Sequence, residues 1–529
     1  MESSTDTDHP LHSLGRGAII ALLGQIVMIG ATFVSRIYLV RSLPTQYGEI
    51  MLGVATVSIL IPIASLGIPY AVARQLAHAR DGQERRHLVL AAVTMSIPLS
   101  VLAGIALFFA APTMSIWLAD SAMTEVLRFF SVYLSVAIVS SVLGAIFQGD
   151  ENMLPTTLFN GILSPLLFLG AIIILFSFGA SLTAALFAYV ISAAIALACL
   201  SIYTVRTRAS FLQVQPGARL PTLRESKALR NLMLFSLPLT MMGVASVVTG
   251  NVDTLLLGYF KQSTTLVGTY SAVLTMARLL TLGVGAFSAI MIPVAARLHR
   301  NQDMEELGQS YATMTKWILC IFFPLYLIFM ILPSPTLLLV YGPVTETSAY
   351  SSATLVLRIV ATGTVLTCLF GPASSVLIGL GKVRLLFYDT LVSASIDVFG
   401  SLLLIPIWGV NGAAIAFAAS TAALPLLAVL QTTIYASVNP FASATIKPLA
   451  IFAVGGGLML GLPVIFLNWA PSWIILVALF FALFFLYIAI ILATHSMEVE
   501  DLHLLGVVER YLGRPLPPIR RIVLRFEKK

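Results

Sequence analysis

The side chains of this sequence that could do chemistry are polar residues set inside long apolar stretches. A guanidinium offers a planar fork that binds phosphate or pyrophosphate through two hydrogen bonds. A carboxylate inside an apolar stretch is a candidate carrier of H⁺ or Na⁺. The residues are Arg36, Arg278 and Arg358, then Asp253, Asp389 and Asp397, and the amides Gln25, Asn160 and Asn251.

No catalytic or metal-binding pattern accompanies these residues. The three cysteines lie far apart, which excludes a disulfide scaffold and a CxxC metal site. No GxxxxGK[ST] loop for nucleotide phosphates is present. We therefore expect no catalytic residue, no metal site and no bound cofactor, with H⁺ or Na⁺ as the candidate coupling ions. Any energy must then come from a gradient, the membrane potential or removal of product.

The elements that position these side chains are membrane spans. Charged residues make up 10% of the 529-residue chain and apolar residues 58%, whereas a soluble domain carries about 25% charged residues. A spanning helix needs about 20 mostly apolar residues. The sequence predicts an all-α polytopic membrane protein with fourteen spans, at 17–40, 47–70, 87–111, 124–147, 154–177, 180–204, 231–258, 266–294, 311–333, 351–378, 383–406, 410–435, 446–467 and 473–495.

The basic residues predict the orientation of the spans. With a cytoplasmic N-terminus, the inner segments hold 23 Lys and Arg residues and the outer loops hold only Arg41, Arg128 and Lys261. Because loops rich in Lys and Arg stay in the cytoplasm, we expect both termini on the cytoplasmic side of the cell membrane. The net charge of +7 then faces anionic membrane lipids. Nucleic acid is not an expected partner.

An internal repeat divides the spans. Four pairs of residues recur at offsets of 220–230, namely Gly48 and Gly268, Pro69 and Pro293, Arg74 and Arg297, and Gly149 and Gly379. Two six-helix halves of one topology are typical of transporters, which bind their cargo between the halves. The predicted organisation is an N-terminal tail (1–16), a first half (17–204), a basic linker (205–230), a second half (231–435), two added helices (446–495) and an amphipathic cytoplasmic tail (496–529).

The depth of each polar residue suggests what it does. Arg278 is expected near mid-membrane and lining a cavity, because neither interface is within its reach. Arg36 and Asp253 are expected at similar depth, where they either pair with each other or line that cavity. Arg358 could instead extend to an interface. Asp389 and Asp397 could bond neighbouring helices, and Asn160, Asn251 and Gln25 fit interhelical hydrogen bonds.

Several segments resemble the polysaccharide transporter family of the multidrug/oligosaccharidyl-lipid/polysaccharide exporter superfamily. They cover nearly the whole chain in matching order: residues 35–48 (SRIYLVRSLPTQYG), Gly67, Ala73-Arg74, residues 235–238 (FSLP), Asp253 with Gly258, residues 267–272 (VGTYSA), Ile292-Pro293, Phe323-Pro324 and residues 340–342 (VYG).

The resemblance implies a flippase for polyprenyl-(pyro)phosphate-linked oligosaccharide. Arg36 and Arg41 resemble arginines that flank a cationic cavity in the lipid II flippase, and Arg278 matches a basic central residue of the family. The cavity would hold the head group while the lipid tail stays in the bilayer. The resemblance also implies a monomer that makes and breaks no bond, works beside glycan-assembly enzymes and moves by alternating access.

Two other functions compete with this one. An ion-coupled antiporter for drugs or organic cations would share the fold, although the arginines in the spans argue against it. A membrane enzyme, such as a polysaccharide polymerase, would need a sizeable loop with clustered carboxylates or histidines. The predicted outer loops are short, and all seven histidines lie at the ends of spans or on the predicted inner face.

Overall fold

The computed structural model describes residues 8–79, 82–118, 122–150, 152–207, 240–241, 243–260, 263–281, 284–342, 349–438, 443–467, 472–497 and 501. Within them the regular structure is helical and contains no strand. The prediction of an all-α polytopic membrane protein is thereby confirmed. Most of the predicted linker at 205–230 and nearly all of the predicted tail lie outside the described residues.

One compact unit comprises Ile20–Ala272 and Ser401–Gly409. Its helices, counted from the start of the chain, are α1 (Asp8–Ser42), α2 (Tyr47–Ala64), α3 (Ile68–His78), α4 (Gly82–Trp117), α5 (Met123–Gly149), α6 (Leu154–Ser177), α7 (Leu182–Thr207), α8 (Val252–Tyr259) and α9 (Thr264–Ala277). Helix α1 begins at Asp8.

The other unit comprises Met1–Ile19, Val273–Gly400 and Val410–Lys529. Its helices are α10 (Val284–Arg300), α11 (Met304–Ile331), α12 (Pro333–Tyr341), α13 (Ala349–Phe370), α14 (Pro372–Gly379), α15 (Val383–Trp408), α16 (Val410–Ala436), α17 (Ser443–Leu467) and α18 (Trp473–Ala493). Helices α17 and α18 pack against α11 and each other. The Phe452 and Tyr487 rings stack there at 4.5 Å.

Eleven stretches of the described helices are long and apolar enough to cross a membrane. Their outer surfaces expose large apolar side chains, including Phe109 (75% exposed), Phe178 (87%) and Phe399 (70%). Exposure of this kind across many long helices is tolerated in lipid, whereas a soluble protein keeps its exposed apolar patches small. The chain is a multi-pass membrane protein.

The prediction of one unbroken helix over 47–70 is wrong. Helix α2 ends at Ala64, and Leu66 and Gly67 take positive φ angles of 48° and 66° before α3 begins. Left-handed residues cannot continue a right-handed helix, and Gly67 adopts that conformation without a steric cost. Pro69 then stands in the first turn of α3, where a missing N–H leaves no bond unmade.

Two later spans are also interrupted. The predicted helix 231–258 breaks at Gly250, which has a φ of 98°, before α8 begins, and its residues 231–239 lie outside the described part. The predicted helix 266–294 is split after α9 by a 3₁₀ turn at Arg278–Thr281.

Glycine lets two helices approach closely in each unit. A Cβ on Gly149 at the end of α5 would lie 2.8 Å from the Ala73 carbonyl oxygen of α3. A Cβ on Gly379 at the end of α14 would lie 2.5 Å from Cβ of Ala295 and 3.0 Å from the Ala296 nitrogen in α10. Small residues permit such close helix packing in membranes. The repeated glycine and the repeated Ala-Arg motif are therefore two sides of one contact, made once in each unit.

We expect Gly149→Ala and Gly379→Ala to destabilise the protein by about 1–3 kcal/mol, because the added methyl group overlaps a neighbouring backbone. Thermal unfolding in detergent measures the effect. Gly170→Ala is the matched control, since a Cβ there meets nothing within 4 Å, and it should leave the midpoint unchanged or slightly raised. Equal midpoints for all three variants would contradict the close contacts.

Candidate functional site

Asp253 is a fully buried carboxylate in the first turn of α8. One oxygen, Oδ2, accepts a hydrogen bond from the Tyr270 hydroxyl of α9. The other, Oδ1, accepts from the backbone N–H of Thr254 at 2.7 Å. A negative charge is stabilised at a helix N-terminus by the unpaired N–H groups there. The break at Gly250 thus creates the helix start that holds this carboxylate.

Asn251 stands at the break itself, as the residue before α8. Its Nδ2 donates to the carbonyl oxygen of Val247 at 2.8 Å. The side chain therefore satisfies a carbonyl of the preceding helical segment, at the point where a continuing helix would have supplied a backbone N–H. Asn251 and Asp253 are brought together as two parts of one helix interruption.

Arg36 is half-buried in α1. Its guanidinium lies near enough to Tyr189 in α7 for the two side chains to interact electrostatically. The Tyr189 ring lies 4.0 Å from the ring of Phe168 and 6.2 Å from that of Tyr133. In the described part of the chain, neither tyrosine hydroxyl makes a hydrogen bond. A guanidinium, two hydroxyls and several ring faces could together bind a phosphate and a sugar.

The sequence reasoning missed Tyr133 and Tyr189. From sequence alone, an aromatic residue in an apolar span is predicted to face lipid or to pack against a neighbouring helix. The available signal was their position in neighbouring spans of the half that carries Arg36.

Arg278 is the first residue of the 3₁₀ turn between α9 and α10, and it is exposed. The hydroxyl of Thr281 donates to its carbonyl oxygen at 2.9 Å. The expectation that Arg278 sits inside a continuous helix is therefore wrong. Arg278 thus stands where α9 ends and the 3₁₀ turn begins, and its predicted place in a cavity near mid-membrane stays a prediction.

Arg358 bonds to a neighbouring helix. Its Nε donates to the carbonyl oxygen of Met330 at 2.9 Å, next to the end of α11 at Ile331. The last carbonyls of a helix lack intrahelical partners, and a basic side chain often satisfies one of them. The contact fits a capping role for this exposed arginine.

Asp389 and Asp397 are both buried on α15. The Nε2 of Gln431 in α16 donates to Asp389 Oδ1 at 2.7 Å. Among the described residues, Asp389 Oδ2 and Gln431 Oε1 are buried without a hydrogen-bond partner. Buried polar atoms of this kind are costly, so the pair has spare capacity to bind a proton, a water molecule or a cation.

The amides Asn160 and Gln25 complete the predicted set. Asn160 lies in a π-helical segment of α6, Thr157–Leu163, and its Oδ1 accepts from the Ser140 hydroxyl of α5 at 2.9 Å. This is the interhelical bond expected of an amide in a span. Gln25 is half-buried in α1.

The predicted residues divide between the two units. Gln25, Arg36, Asn160, Asn251 and Asp253 belong to the unit built on Ile20–Ala272, whereas Arg278, Arg358, Asp389 and Asp397 belong to the other. Within the described residues, no group of three or more His, Cys, Asp or Glu side chains could hold a metal ion.

A buried ion pair joins α11 to the chain beyond the last span. Lys316 Nζ donates to Asp501 Oδ2 at 2.7 Å and to the Ser496 carbonyl oxygen at 2.9 Å. Trp317 Nε1 donates to the other carboxylate oxygen at 2.7 Å. Both charged side chains are 1% exposed. No sequence pattern links Lys316 to a partner 185 positions away.

A family model described as "Polysaccharide biosynthesis protein" matches residues 14–299, which is more than half of the chain. The chain belongs to the polysaccharide biosynthesis protein family. A second model, MatE, matches residues 238–403. The family resemblance drawn from the sequence motifs is thereby confirmed. A comparison with curated proteins gives no match.

Solved structures with the same fold come from the MOP superfamily. The lipid II flippase MurJ in an inward closed conformation superposes with a TM-score of 0.70 at 11% identity, over 89% of this chain and 98% of that one. A MATE family multidrug transporter facing inward gives 0.55 at 16% identity, over 80% and 94%. A MOP transporter from Pyrococcus furiosus, noted for reversed polarity of its binding pocket, gives 0.55 at 15% identity, over 80% and 96%. These likenesses establish the fold, and the family is one of membrane transporters.

We expect Lys316→Met and Asp501→Asn each to destabilise the protein by about 3–5 kcal/mol, because each leaves one charge buried without its partner. The double variant should recover most of that loss, since the asparagine oxygen still accepts from Trp317. Thermal unfolding in detergent measures all three.

The matched control is Arg85→Gln, which breaks the Arg85–Asp150 pair, where the arginine side chain is 33% exposed. It should cost about 0–1 kcal/mol. Additive losses in the Lys316 and Asp501 double variant would rule out coupling between those two charges.

Proposed function

We propose that this protein is a flippase that moves polyprenyl-(pyro)phosphate-linked oligosaccharide from the inner to the outer leaflet for polysaccharide or glycan assembly. The two predicted six-helix halves would alternate in opening around a cavity that contains arginines, without making or breaking a bond. Membership of the polysaccharide biosynthesis family supports this, and so does a fold shared with a lipid II flippase.

The observation that carries the proposal is that Arg36 interacts electrostatically with Tyr189, whose ring lies 6.2 Å from that of Tyr133. A sugar-pyrophosphate head faces a prohibitive desolvation cost in hydrocarbon. A guanidinium supplies counter-charge and two parallel hydrogen bonds to the phosphates. Hydroxyl groups with spare bonding capacity replace water around the sugars. Arg278, at the helix interruption, would add a second cation from the other half.

The proposed setting is the cell membrane, with both termini in the cytoplasm and the loop at residues 43–46 outside. Anionic lipid would face the basic inner segments. The partners are then the lipid-linked substrate, membrane lipids and the enzymes that build and use the glycan. A monomer suffices for this mechanism, since both halves belong to one chain.

An ion-coupled antiporter for drugs or organic cations is the second candidate. The MatE model supports it, as does the fold shared with MATE transporters. The buried carboxylates of Asp253, Asp389 and Asp397 would then exchange H⁺ or Na⁺ against the cargo. The same carboxylates could couple a flippase to a gradient, so the nature of the cargo separates the two candidates.

We expect Arg36→Ala and Arg278→Ala each to lower flipping about ten-fold or more, because each removes charge-assisted hydrogen bonds to phosphate. The assay uses proteoliposomes with a fluorescent polyprenyl-pyrophosphate sugar, and a membrane-impermeant quencher reports the outer leaflet.

Arg128→Ala is the control, since that exposed arginine lies over the Phe108 ring at 5.0 Å, near the predicted outer surface. Flipping at the wild-type rate in both test variants would rule out the arginine site and leave the proposed flippase function in place. No flipping by the wild-type protein would discard the function.

We expect Asp253→Asn to abolish the dependence of transport on an imposed H⁺ or Na⁺ gradient, because an amide neither titrates nor offers a negative charge to Na⁺. Tyr270→Phe should keep the dependence and alter its rate, since the carboxylate remains. Glu305→Gln is the control, being an exposed carboxylate at the start of α11. The assay compares lipid-linked sugar and an organic cation as cargo under each gradient. Unchanged gradient dependence in Asp253→Asn would remove Asp253 as the coupling residue.

A further inference from the structure

Helices α15 and α16 pack side by side and exchange polar contacts. The Ser393 hydroxyl of α15 donates to the Ser420 carbonyl oxygen of α16 at 2.8 Å. Gly400 of α15 lies against Ala416 of α16, where an added Cβ would meet the alanine Cβ at 3.2 Å. Asp389 is two turns from the start of α15, and it meets a side chain of α16 at this interface.

Asp389 and Gln431 use only part of their hydrogen-bonding capacity. The Gln431 Nε2 donates to Asp389 Oδ1 at 2.7 Å, and the aspartate is 3% exposed. The other two oxygens, Asp389 Oδ2 and Gln431 Oε1, are both buried and have no hydrogen-bond partner among the described residues. Carboxylate and amide oxygens are acceptors. The interface therefore lacks a donor.

No basic side chain in the described part of the chain makes an ion pair with Asp389. Charged and titratable groups elsewhere on α15, just before it and on α16 are Lys382, Arg384, Tyr388, Asp397 and Tyr435. Lys382 lies over the Tyr435 ring at 5.2 Å. Arg384 is exposed, and five residues separate it from Asp389, which is about 140° around the helix. An ionised Asp389 would thus be a buried charge without a counter-charge, which is costly.

The remaining neighbours offer no counter-charge either. Leu385 and Leu386 pack against a buried cluster from α10, α11, α14 and α16, whose one titratable side chain, as far as the structure describes it, is Tyr311. Helix α14 has no charged or titratable residue, and Lys316 of α11 is paired with Asp501. The groups in the last turn of α10 and the first turn of α11 are exposed or half-buried, namely Arg297, His299, Arg300, Glu305 and Glu306.

A single proton would satisfy both unpartnered oxygens. A carboxylic acid and a primary amide form a cyclic pair, in which the amide N–H donates to one acid oxygen and the acid O–H donates to the amide oxygen. The first of these bonds is present between Gln431 and Asp389. A proton on Oδ2 would supply the second bond and remove the buried charge. A hard cation takes about six oxygen ligands, whereas two unpartnered oxygens are available in this pair.

We propose that Asp389 binds a proton on Oδ2 and forms a cyclic acid–amide pair with Gln431, which joins α15 to α16. The inference goes beyond the proposed function, because it concerns neither the cargo nor the arginines. Loss of the proton leaves two acceptors without a donor and weakens the contact between the helices. Asp253 differs in this respect, since both of its oxygens accept hydrogen bonds.

The first experiment detects the proton directly by infrared difference spectroscopy at pH 7. The spectrum of wild type minus Asp389→Asn should contain the C=O band of a protonated carboxylic acid, and this band should shift in D₂O. Glu305→Gln is the matched control, since it removes an exposed carboxylate and should give carboxylate bands instead. Carboxylate bands in the Asp389→Asn difference spectrum would overturn the proposal.

The second experiment measures the linkage of that proton to folding, by thermal unfolding in detergent between pH 5 and pH 8. Asp389→Asn keeps a cyclic pair, because its amide donates to Gln431 Oε1. The folded wild type holds a proton that the unfolded chain releases, so rising pH should destabilise wild type relative to Asp389→Asn. The expected change in the unfolding constant is up to about ten-fold per pH unit.

Two results of the second experiment would contradict the bound proton. One is a difference between wild type and Asp389→Asn that does not change with pH. The other is a wild-type midpoint that rises in NaCl but not in choline chloride, with the rise lost in Asp389→Asn, since that result identifies a bound cation.

The third experiment moves the acid to the other helix. The double variant Asp389→Asn, Gln431→Glu again places one acid opposite one amide, so it should restore the protonated C=O band and the pH dependence that Asp389→Asn lacks. Carboxylate bands from a double variant with the wild-type elution volume would count against the cyclic pair. If the double variant does not fold, the first two experiments decide. None of these measurements needs a substrate, so their outcome is independent of whether the protein flips lipid-linked sugar.

Discussion

Polar groups inside hydrocarbon must find partners within the protein or in an enclosed water space, and the features of interest in this fold follow from that constraint. An unbroken α-helix meets the constraint for its own backbone. Every interruption therefore exposes N–H and carbonyl groups that need a local solution. At Gly250 the solution combines Asn251, which bonds to a carbonyl before the break, with Asp253, which bonds to an N–H after it. The same constraint places Arg358 on the Met330 carbonyl.

Charged side chains suited to binding lie at helix interruptions, whereas the continuous helices provide the packing surfaces. The long spans α4, α5, α7 and α16 provide continuous surfaces for packing against neighbours and lipid. Arg278 and Asp253, by contrast, stand at or beside a break, where freed backbone groups and a charged side chain occur together. Transporters use discontinuous helices in this way to form binding sites near the middle of the bilayer.

Hydropathy predicts the number and order of most spans, because the thickness of the bilayer fixes their length. It does not predict the breaks, since they depend on single residues with positive φ, such as Leu66 and Gly67, that leave the apolar average unchanged. The repeat identified Gly48, Gly149, Gly268 and Gly379, and all four lie at close helix contacts. Tyr133 and Tyr189 escaped prediction because their aromatic rings suit lipid equally well. The partner of Lys316 escaped because nothing in a sequence pattern joins two residues so far apart.

The ion pair between Lys316 and Asp501 has a consequence for how the protein is made. The two residues are 185 positions apart in the chain, so the ribosome completes Asp501 on the order of ten to forty seconds after Lys316. During that interval α11 carries an ammonium group without its carboxylate. Helix α11 can complete its packing in the unit that contains Val273–Gly400 and Val410–Lys529 only after α17 and α18 have entered the membrane. The chain must then have returned to the end of α11 that carries Lys316. Completion of this buried ion pair is therefore a late event in the synthesis of the chain, and a chain cut short before Asp501 leaves the Lys316 ammonium without its carboxylate.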